Sequence, residues 1–309
     1  LNKKNSRYSI FSLLKYIYKE RPTKFLIFNY ELTVIINILR LLFKIKIKII
    51  SRNSNTLTLK IRQFQDKGFW SKNIVLPLIK HFYHRTDHIV NQCYAMREDL
   101  INLYPKLKKN SSVIYNPIPI HVQKYVNKYD LSKIKKNDYI LCVGRLEKQK
   151  AFNYAIEAFA GIKDKYPKLR LKIVGYGSML RELKQKTIDF NIERRVDFEG
   201  FQKDIVPYYL HAKGTILSSL YEGYPNVLIE SIAMNTPVVA FDCPSGPREI
   251  IQNGLNGYLV KYKDVNDLKN NILKLMDNKF NYENLKDSLK KNQIKYVIKN
   301  YEDLINKYN

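Results

Sequence analysis

Between Glu222 and Glu230 the chain reads Glu-Gly-Tyr-Pro-Asn-Val-Leu-Ile-Glu, two carboxylates eight positions apart with a helix start signal between them. Pro225 suits the first helical position, because its fixed φ fits and its missing N–H would have no intrahelical partner there. The sequence therefore predicts a helix that begins at Pro225. The N–H groups of Asn226, Val227 and Leu228 would then lack intrahelical acceptors and carry the positive end of the helix dipole, an arrangement suited to an anion. Gly223, followed by Tyr224, lets a ligand approach the backbone closely. Glu222 falls on the loop and Glu230 about a turn and a half into the helix, so the two carboxylates can address different parts of one elongated ligand. Taken alone, the segment reads equally well as an ordinary strand-loop-helix with two solvated glutamates.

Gly144-Arg145-Leu146-Glu147-Lys148-Gln149-Lys150 puts a guanidinium and an ammonium on a turn after an apolar run. Arg145 offers planar, forked hydrogen bonding and Lys150 a compact charge, and together they can meet one diphosphate. A solvated basic turn is the plainer reading. Gly175-Tyr176-Gly177 lacks the third glycine of the dinucleotide fingerprint, and that fingerprint should follow a strand near the chain start, so hydride transfer is not indicated. The turn either touches a nucleotide or only closes on itself. Cys243-Pro244-Ser245-Gly246-Pro247-Arg248-Glu249 is a further loop leading into a helix, or simple turn chemistry. His81, His84 and His88 lack supporting Cys or clustered carboxylates, and no Asp-x-Asp occurs, so neither a metal centre nor a metal-bridged diphosphate is expected.

These loops need a scaffold, and from Tyr139 onward short apolar runs alternate with amphipathic stretches of 3.6 periodicity. Strands are predicted at Tyr139 to Val143, Leu169 to Val174, Val196 to Phe198, Thr215 to Ser218, Pro237 to Phe241 and Tyr258 to Val260. This alternation predicts a parallel, doubly wound sheet whose ligands bind outside the carboxyl ends of the strands, where every candidate loop of this half falls. The first half is less regular, with strands predicted at Lys24 to Phe28, Ile45 to Ile50, His88 to Val90 and Val113 to Tyr115. Asn116-Pro117-Ile118-Pro119 and the Lys-rich stretch through Asn137 mark a boundary. The expected organisation is a first domain over 1–135, a second over 136–292, and a terminal helix over 293–309 packing back on the first. In that tail Tyr296, Ile298, Tyr301, Leu304 and Ile305 supply the expected apolar stripe.

Composition bounds the partners. Lys and Arg number 54 against 28 Asp and Glu, a net charge of +26 that attracts anionic lipid, nucleic acid or phosphorylated substrates. Abundant Lys, Asn, Ile and Tyr also fit an AT-rich genome, so part of the excess can be codon bias. No helix-turn-helix, zinc finger or aromatic sheet motif supports nucleic-acid binding. Cys93, Cys142 and Cys243 have no paired spacing, which fits a reducing cytoplasm. The apolar stretch Phe25 to Phe43 is interrupted by Asn29, Glu31, Asn37 and Arg40, too polar for a membrane span. The chain opens at Leu1 and runs into a helical pattern from about Ser6 to Glu20.

Gly144-Arg145-Leu146 with Gln149-Lys150, the Gly175 turn, the Glu222/Glu230 pair with Pro225-Asn226-Val227-Leu228, and the Ser245 to Glu249 loop together resemble the retaining GT-B glycosyltransferases of the Glu-x7-Glu type. These include the bacterial enzymes that build lipopolysaccharide, capsule and lipid-linked glycans. The resemblance covers Tyr139 to Met276 and is diffuse before Ile114. It implies a GT-B-like α/β fold of two Rossmann-like domains with doubly wound parallel sheets, the first incomplete at its start. Arg145 and Lys150 would then hold the diphosphate of a nucleotide sugar, Glu222 would meet the donor sugar hydroxyls, and Glu230 would hold the ribose hydroxyls. Gly175, Gly177 and the Gly223 to Leu228 segment would line the donor. The implied reaction uses no metal and no cofactor, and passes a UDP-linked hexose or N-acetylhexosamine to a lipid-linked or polysaccharide acceptor at the inner face of the membrane. Two departures stand out: no glycine-rich first strand precedes Ser6, and Ser51-Arg52-Asn53 stands where many members carry a histidine. Position 151, commonly Gly in the family, is Ala, which reads as a small change. A nucleotide-binding remnant without transfer activity, or a basic nucleic-acid-binding protein, is the alternative.

Overall fold

Residues such as Tyr-Ile-Leu-Cys-Val and Val-Val-Ala-Phe are apolar on both sides of the pleat, so they can only be strands buried between helix layers. The computed structural model describes residues 10–66 and 68–308 and places them so. The chain divides into two compact units, residues 1–115 with 300–309, and residues 116–299.

In the second unit six strands, β5 Tyr139–Val143, β6 Arg170–Val174, β7 Val196–Gly200, β8 Gly214–Leu217, β9 Val238–Phe241 and β10 Gly257–Val260, form one sheet in the order β10-β9-β8-β5-β6-β7. Every pairing is parallel. The chain runs outward from β5 through β6 to β7, then crosses back to start β8 on the other side of β5. A crevice therefore opens at the carboxyl ends of β5 and β8, the topological switch point. The helix Phe152–Ala160 packs against Leu180–Asp189 and Val265–Asp277, while Asn226–Ala233 packs against Val206–His211 and Tyr282–Ser288. The sequence dictates these helices plainly. In Val265–Asp277 the side chain of Asp264 caps the Asp267 N–H, and Leu268, Ile272 and Leu275 fall on one buried stripe. That stripe joins Ile140, Phe159, Leu171, Ile216, Val239 and Phe241 in a single core.

The first unit holds a four-stranded parallel sheet in the order β1-β2-β3-β4, from β1 Lys24–Ile27, β2 Lys48–Arg52, β3 His88–Asn91 and β4 Ser111–Val113. Two of these strands differ from the sequence reading by more than one residue. β2 begins at Lys48 rather than Ile45, because Lys44 adopts φ +51° and Ile45 and Ile47 are spent in a turn, with the Ile45 N–H bonded to the Arg40 carbonyl at 3.1 Å. Ser51 and Arg52 are thus strand residues. β4 lies two positions earlier than expected, because the polar Ser111 and Ser112 take the strand, with Ser112 Oγ 2.8 Å from His88 Nε2. The opening helix is Ile10–Glu20; the predicted start at Ser6 lies outside the described residues.

The terminal helix is Ile294–Asn306. Its buried residues are Val297 and Leu304, with Tyr301 half-buried between them, whereas Tyr296 and Ile298 are exposed, at 47% and 49%. Of the expected stripe Tyr301, Leu304 and Ile305 face inward, whereas Tyr296 and Ile298 do not, and Val297 between them completes the set that recurs at helical spacing. Near its end Lys24 Nζ donates to the Ile305 carbonyl at 3.1 Å, and Tyr308 Oη lies 3.0 Å from His88 Nδ1. Among the described residues no helix is long and apolar enough to cross a membrane.

Candidate functional site

Four loops at the carboxyl edge of the second sheet are bonded to one another. After β5, Gly144 takes φ +152° and the chain turns back through Lys150. After β6, the Gly175 and Gly177 backbones lie directly on that turn. A Cβ at Gly175 would stand 1.9 Å from the Gly144 carbonyl oxygen, and one at Gly177 would stand 2.4 Å from that of Leu146. The Leu146 N–H donates to the Tyr176 carbonyl at 2.9 Å. These two glycines are therefore required for backbone-on-backbone packing, whatever else they touch.

The loop after β8 is fastened to the loop after β5. The Leu220 N–H donates to the Gln149 carbonyl at 2.8 Å, Gln149 Nε2 donates to the Tyr221 carbonyl at 3.0 Å, and Ser218 Oγ donates to the Lys150 carbonyl at 3.1 Å. These bonds bring Lys150 Nζ to 2.6 Å from Glu222 Oε1, with both side chains almost enclosed, at 13% and 10% exposed. Arg145 is exposed, and its Nη2 reaches Gln149 Oε1 at 3.5 Å. Lys150 and Glu222 thus meet directly, and Arg145 borders them through Gln149.

Residue 151 makes this turn costly. Ala151 precedes the helix Phe152–Ala160 at φ +45°, ψ +44°, the left-handed region where a Cβ crowds the following carbonyl. Alanine here is a strained choice, not the small change that its size suggests.

The loop after β9 closes over the loop after β8. Ser245, at φ +63°, donates from Oγ to the carbonyls of Glu222 at 2.6 Å and Gly223 at 3.0 Å. Gly246 is at φ +83°, and a Cβ on it would meet the Gly223 carbonyl oxygen at 2.4 Å and Pro225 Cδ at 2.6 Å. Arg248 is turned aside to Asp242, with which it makes a two-pronged ion pair. The thiol of Cys243 is pushed up to about 12 by burial and then by the nearby Glu222 carboxylate, so at neutral pH it is not a thiolate.

The helix after Gly223 starts one residue later than the sequence suggests. Pro225 is the N-cap, at φ −72°, ψ 110°, and the helix is Asn226–Ala233. The Leu228 N–H donates to the Pro225 carbonyl at 3.2 Å, so it is not open for an anion. Pro225 keeps the φ of a helical residue but its ψ of 110° is extended, so the helix begins at Asn226. Asn226 and Val227 remain as the first-turn N–H groups. Tyr224 is buried: its carbonyl accepts from Asn116 Nδ2 at 3.1 Å, and its hydroxyl lies 3.2 Å from Asn292 Nδ2. Its side chain holds the loop rather than lining the crevice.

Glu230, on that helix, has its own partner. Tyr209 Oη donates to its Oε2 at 2.9 Å, and burial raises the Glu230 carboxyl above the usual range against the lowering effects of Tyr209 and His121. Sequence reasoning missed Tyr209, Asn116 and the Lys150–Glu222 contact, all of which join segments far apart in the chain. Only the strand-end placement of the loops pointed to their meeting.

The histidines of the first unit are engaged elsewhere. His81 and His84 lie 3.2 Å from the Pro77 and Lys80 carbonyls, and His88 is held by Ser112 and Tyr308. Among the described residues no three His, Cys, Asp or Glu side chains group so as to hold a metal ion.

The family model described as glycosyl transferases group 1 matches residues 126–296, more than half of the chain. A glycosyltransferase of Methanocaldococcus jannaschii is 31% identical over 195 residues, covering 62% of this chain and 48% of the relative. The N-acetylgalactosamine-N,N'-diacetylbacillosaminyl-diphospho-undecaprenol 4-alpha-N-acetylgalactosaminyltransferase of Campylobacter jejuni is 32% identical over 192 residues, covering 62% and 51%. The chain thus spans about half the length of these curated relatives. Among solved structures, Anabaena HepE in complex with UDP superposes with a TM-score of 0.77 at 16% identity, covering 96% of this chain and 82% of that one. That likeness places the chain in the GT-B α/β fold.

Proposed function

Because the chain belongs to the group 1 glycosyl transferases, we propose that it moves a hexose or N-acetylhexosamine from a UDP-linked donor to a lipid-linked or polysaccharide acceptor, with retention and without a metal. The observation that carries this reading is the Lys150–Glu222 pair, 2.6 Å apart in the crevice between the ends of β5 and β8 and beside the start of the helix Asn226–Ala233. A diphosphate seated there would meet the Lys150 ammonium, the Arg145 guanidinium and the first-turn N–H groups of Asn226 and Val227. Glu222, held by Lys150, would accept hydrogen bonds from the donor sugar hydroxyls, and Glu230 from the ribose hydroxyls.

The proposed chemistry assigns those residues their parts. The bond from C1 of the donor sugar to the diphosphate oxygen breaks, and the electron pair leaves with the diphosphate, where Arg145 and Lys150 offset the developing charge. The acceptor hydroxyl oxygen bonds to C1 from the same face, and its proton passes to a diphosphate oxygen. The cations do here what a bridging metal would do elsewhere.

Two comparisons support the partners. The Campylobacter relative is named for a diphospho-undecaprenol acceptor, and the HepE structure holds UDP. The excess of 54 basic over 28 acidic residues favours work beside an anionic surface, as a peripheral protein at the cytoplasmic face of the membrane.

Calorimetric titration of UDP and UDP-sugars tests the donor site. Glu230→Ala should weaken UDP binding by about tenfold or more, the cost of losing hydrogen bonds to a charged group. Equal affinities would remove Glu230 from the ribose role. Glu222→Ala should abolish measurable transfer or donor hydrolysis, and full activity in that variant would refute its assignment. The anomeric configuration of the product, followed by NMR in the presence of a chelator, checks retention and metal independence together.

A further inference from the structure

In a parallel sheet every loop that precedes a strand lies at the same edge. In the first unit these are the segments before β1, β2, β3 and β4. With neighbouring strands about 5 Å apart, their tips share a front of roughly 15 Å. That front is basic. Arg21 precedes β1; Lys44 and Lys46 precede β2; Arg85 precedes β3; Lys106, Lys108 and Lys109 precede β4, and all seven are exposed. Lys24 and Lys48 stand opposite each other at the starts of β1 and β2. Of the acids near this edge, Asp87 bonds Arg40 and the Ile49 N–H and lies 3.6 Å from Lys48, Glu20 lies 3.4 Å from Lys19, and Glu302 and Asp303 of the terminal helix are exposed, so the basic side chains outnumber the acids here. The unit as a whole, residues 1–115 and 300–309, holds 23 Lys and Arg against 8 Asp and Glu.

The same edge carries apolar tips that a purely ionic surface does not need. Leu41, Leu42 and Phe43 end the helix Tyr30–Leu42 with exposures of 45%, 71% and 46%, directly before Lys44 and Lys46. Tyr18, 60% exposed, stands at the end of the helix Ile10–Glu20. Exposed aliphatic and aromatic side chains flanked by lysines match a bilayer interface, whose acyl boundary takes the former and whose phosphates take the latter. A nucleic-acid backbone would offer nothing to Leu42.

We propose that this amino edge of the first sheet is a docking face for an anionic lipid bilayer, with Leu42 and Phe43 inserting and the basic tips bound to lipid phosphates. The proposal deepens the reading of a membrane-carried acceptor and rests on it only for the identity of the surface. Docked this way, the unit keeps the carboxyl edge of its sheet toward the water, open to a glycan that stands away from its lipid.

Co-sedimentation with phosphatidylglycerol-containing vesicles, against phosphatidylcholine vesicles, tests it on the full chain. The wild type should bind the anionic vesicles, bind the neutral ones weakly, and lose much of its binding as salt rises. Lys44→Glu/Lys46→Glu should reduce partitioning by about tenfold or more, since each cation near such a surface counts for about a factor of five and reversal does more than removal. Leu42→Ser/Phe43→Ser should remove the salt-resistant part. Both double variants should keep the wild-type melting temperature and UDP affinity, so a failure here is separable from a failure of the donor site. Binding by the charge-reversed variant equal to the wild type overturns the proposal. So does a wild type that duplex nucleic acid displaces fully while Leu42→Ser/Phe43→Ser behaves as wild type.

Discussion

Ala151 concentrates a general feature of this site, that its turns are held in conformations their residues would not choose. A left-handed alanine costs about 1–2 kcal/mol relative to ordinary backbone, part of which glycine would give back as extra freedom in the unfolded chain. Ala151→Gly should therefore stabilise the protein by about 0.5–1 kcal/mol in urea unfolding and leave donor affinity unchanged. Lys150 and Glu222 present the opposite case, two charges that are each tolerable only because of the other. Lys150→Met should cost about 3 kcal/mol by stranding a nearly enclosed carboxylate, and Lys150→Met/Glu222→Gln should recover much of that loss while remaining inactive. Stability measured for the three variants separates the pair's structural part from its chemical one. The types and order of Arg145, Lys150, Glu222 and Glu230 were legible in the sequence. The strain at 151 was not, because residue identity does not carry φ, and neither was the Lys150–Glu222 contact, because it joins loops 72 positions apart.

The element scale shows where sequence periodicity succeeds and fails. In the second unit Tyr139–Val143 and Val238–Phe241 were readable because they are apolar on both faces and Arg170–Val174 because it alternates, whereas Ser111–Val113 hides its strand behind two serines whose hydroxyls find partners inside the fold. Lys136 belongs to the Lys-rich stretch that marks the boundary, yet it is half-buried and fully engaged. Its Nζ donates to the carbonyls of Leu210 at 2.9 Å and Met234 at 3.3 Å and to Thr236 Oγ1 at 2.6 Å. The cation thus caps the carboxyl ends of the helices Val206–His211 and Asn226–Ala233, which carry Tyr209 and Glu230. Burial brings its ammonium down to about 7, so the unfolded chain holds the proton more tightly above that value. Stability from this residue should rise as pH increases from about 7 toward the ordinary lysine range. Lys136→Met should flatten that slope, destabilise the protein by about 2 kcal/mol through unsatisfied carbonyls, and raise the KM for donor more than it lowers kcat, because Glu230 loses its fixed seat. Wild-type KM in that variant would separate the cap from the site.

At the scale of the whole molecule, two units with separate cores and unequal charge need not lose stability together. His88 sits in the first unit with its Nδ1 3.0 Å from Tyr308 Oη and its Nε2 2.8 Å from Ser112 Oγ, an arrangement that uses both ring nitrogens of a neutral imidazole. Burial first, then Lys307 and Arg97, lowers its pKa from 6.5 to about 4. The fold therefore holds His88 neutral while the unfolded chain takes up a proton below about 6.5, so stability of this unit should fall as pH drops from there toward 4. Trp70, the single tryptophan of the chain, lies in the same unit, where it lines a cavity with Ile74 and Leu78, and its fluorescence reports that unit alone. Urea unfolding followed by Trp70 emission should shift to lower midpoints between pH 6.5 and about 4, while the ellipticity change, dominated by the larger second unit, should shift less. His88→Gln, which keeps hydrogen-bonding capacity without a titrating group, should remove most of the difference between the two probes. Coincident transitions for the wild type across that range would mean either that His88 is protonated in the fold or that the units unfold as one, and the variant distinguishes these: an unchanged acid slope points to the first, a slope lost in both probes to the second.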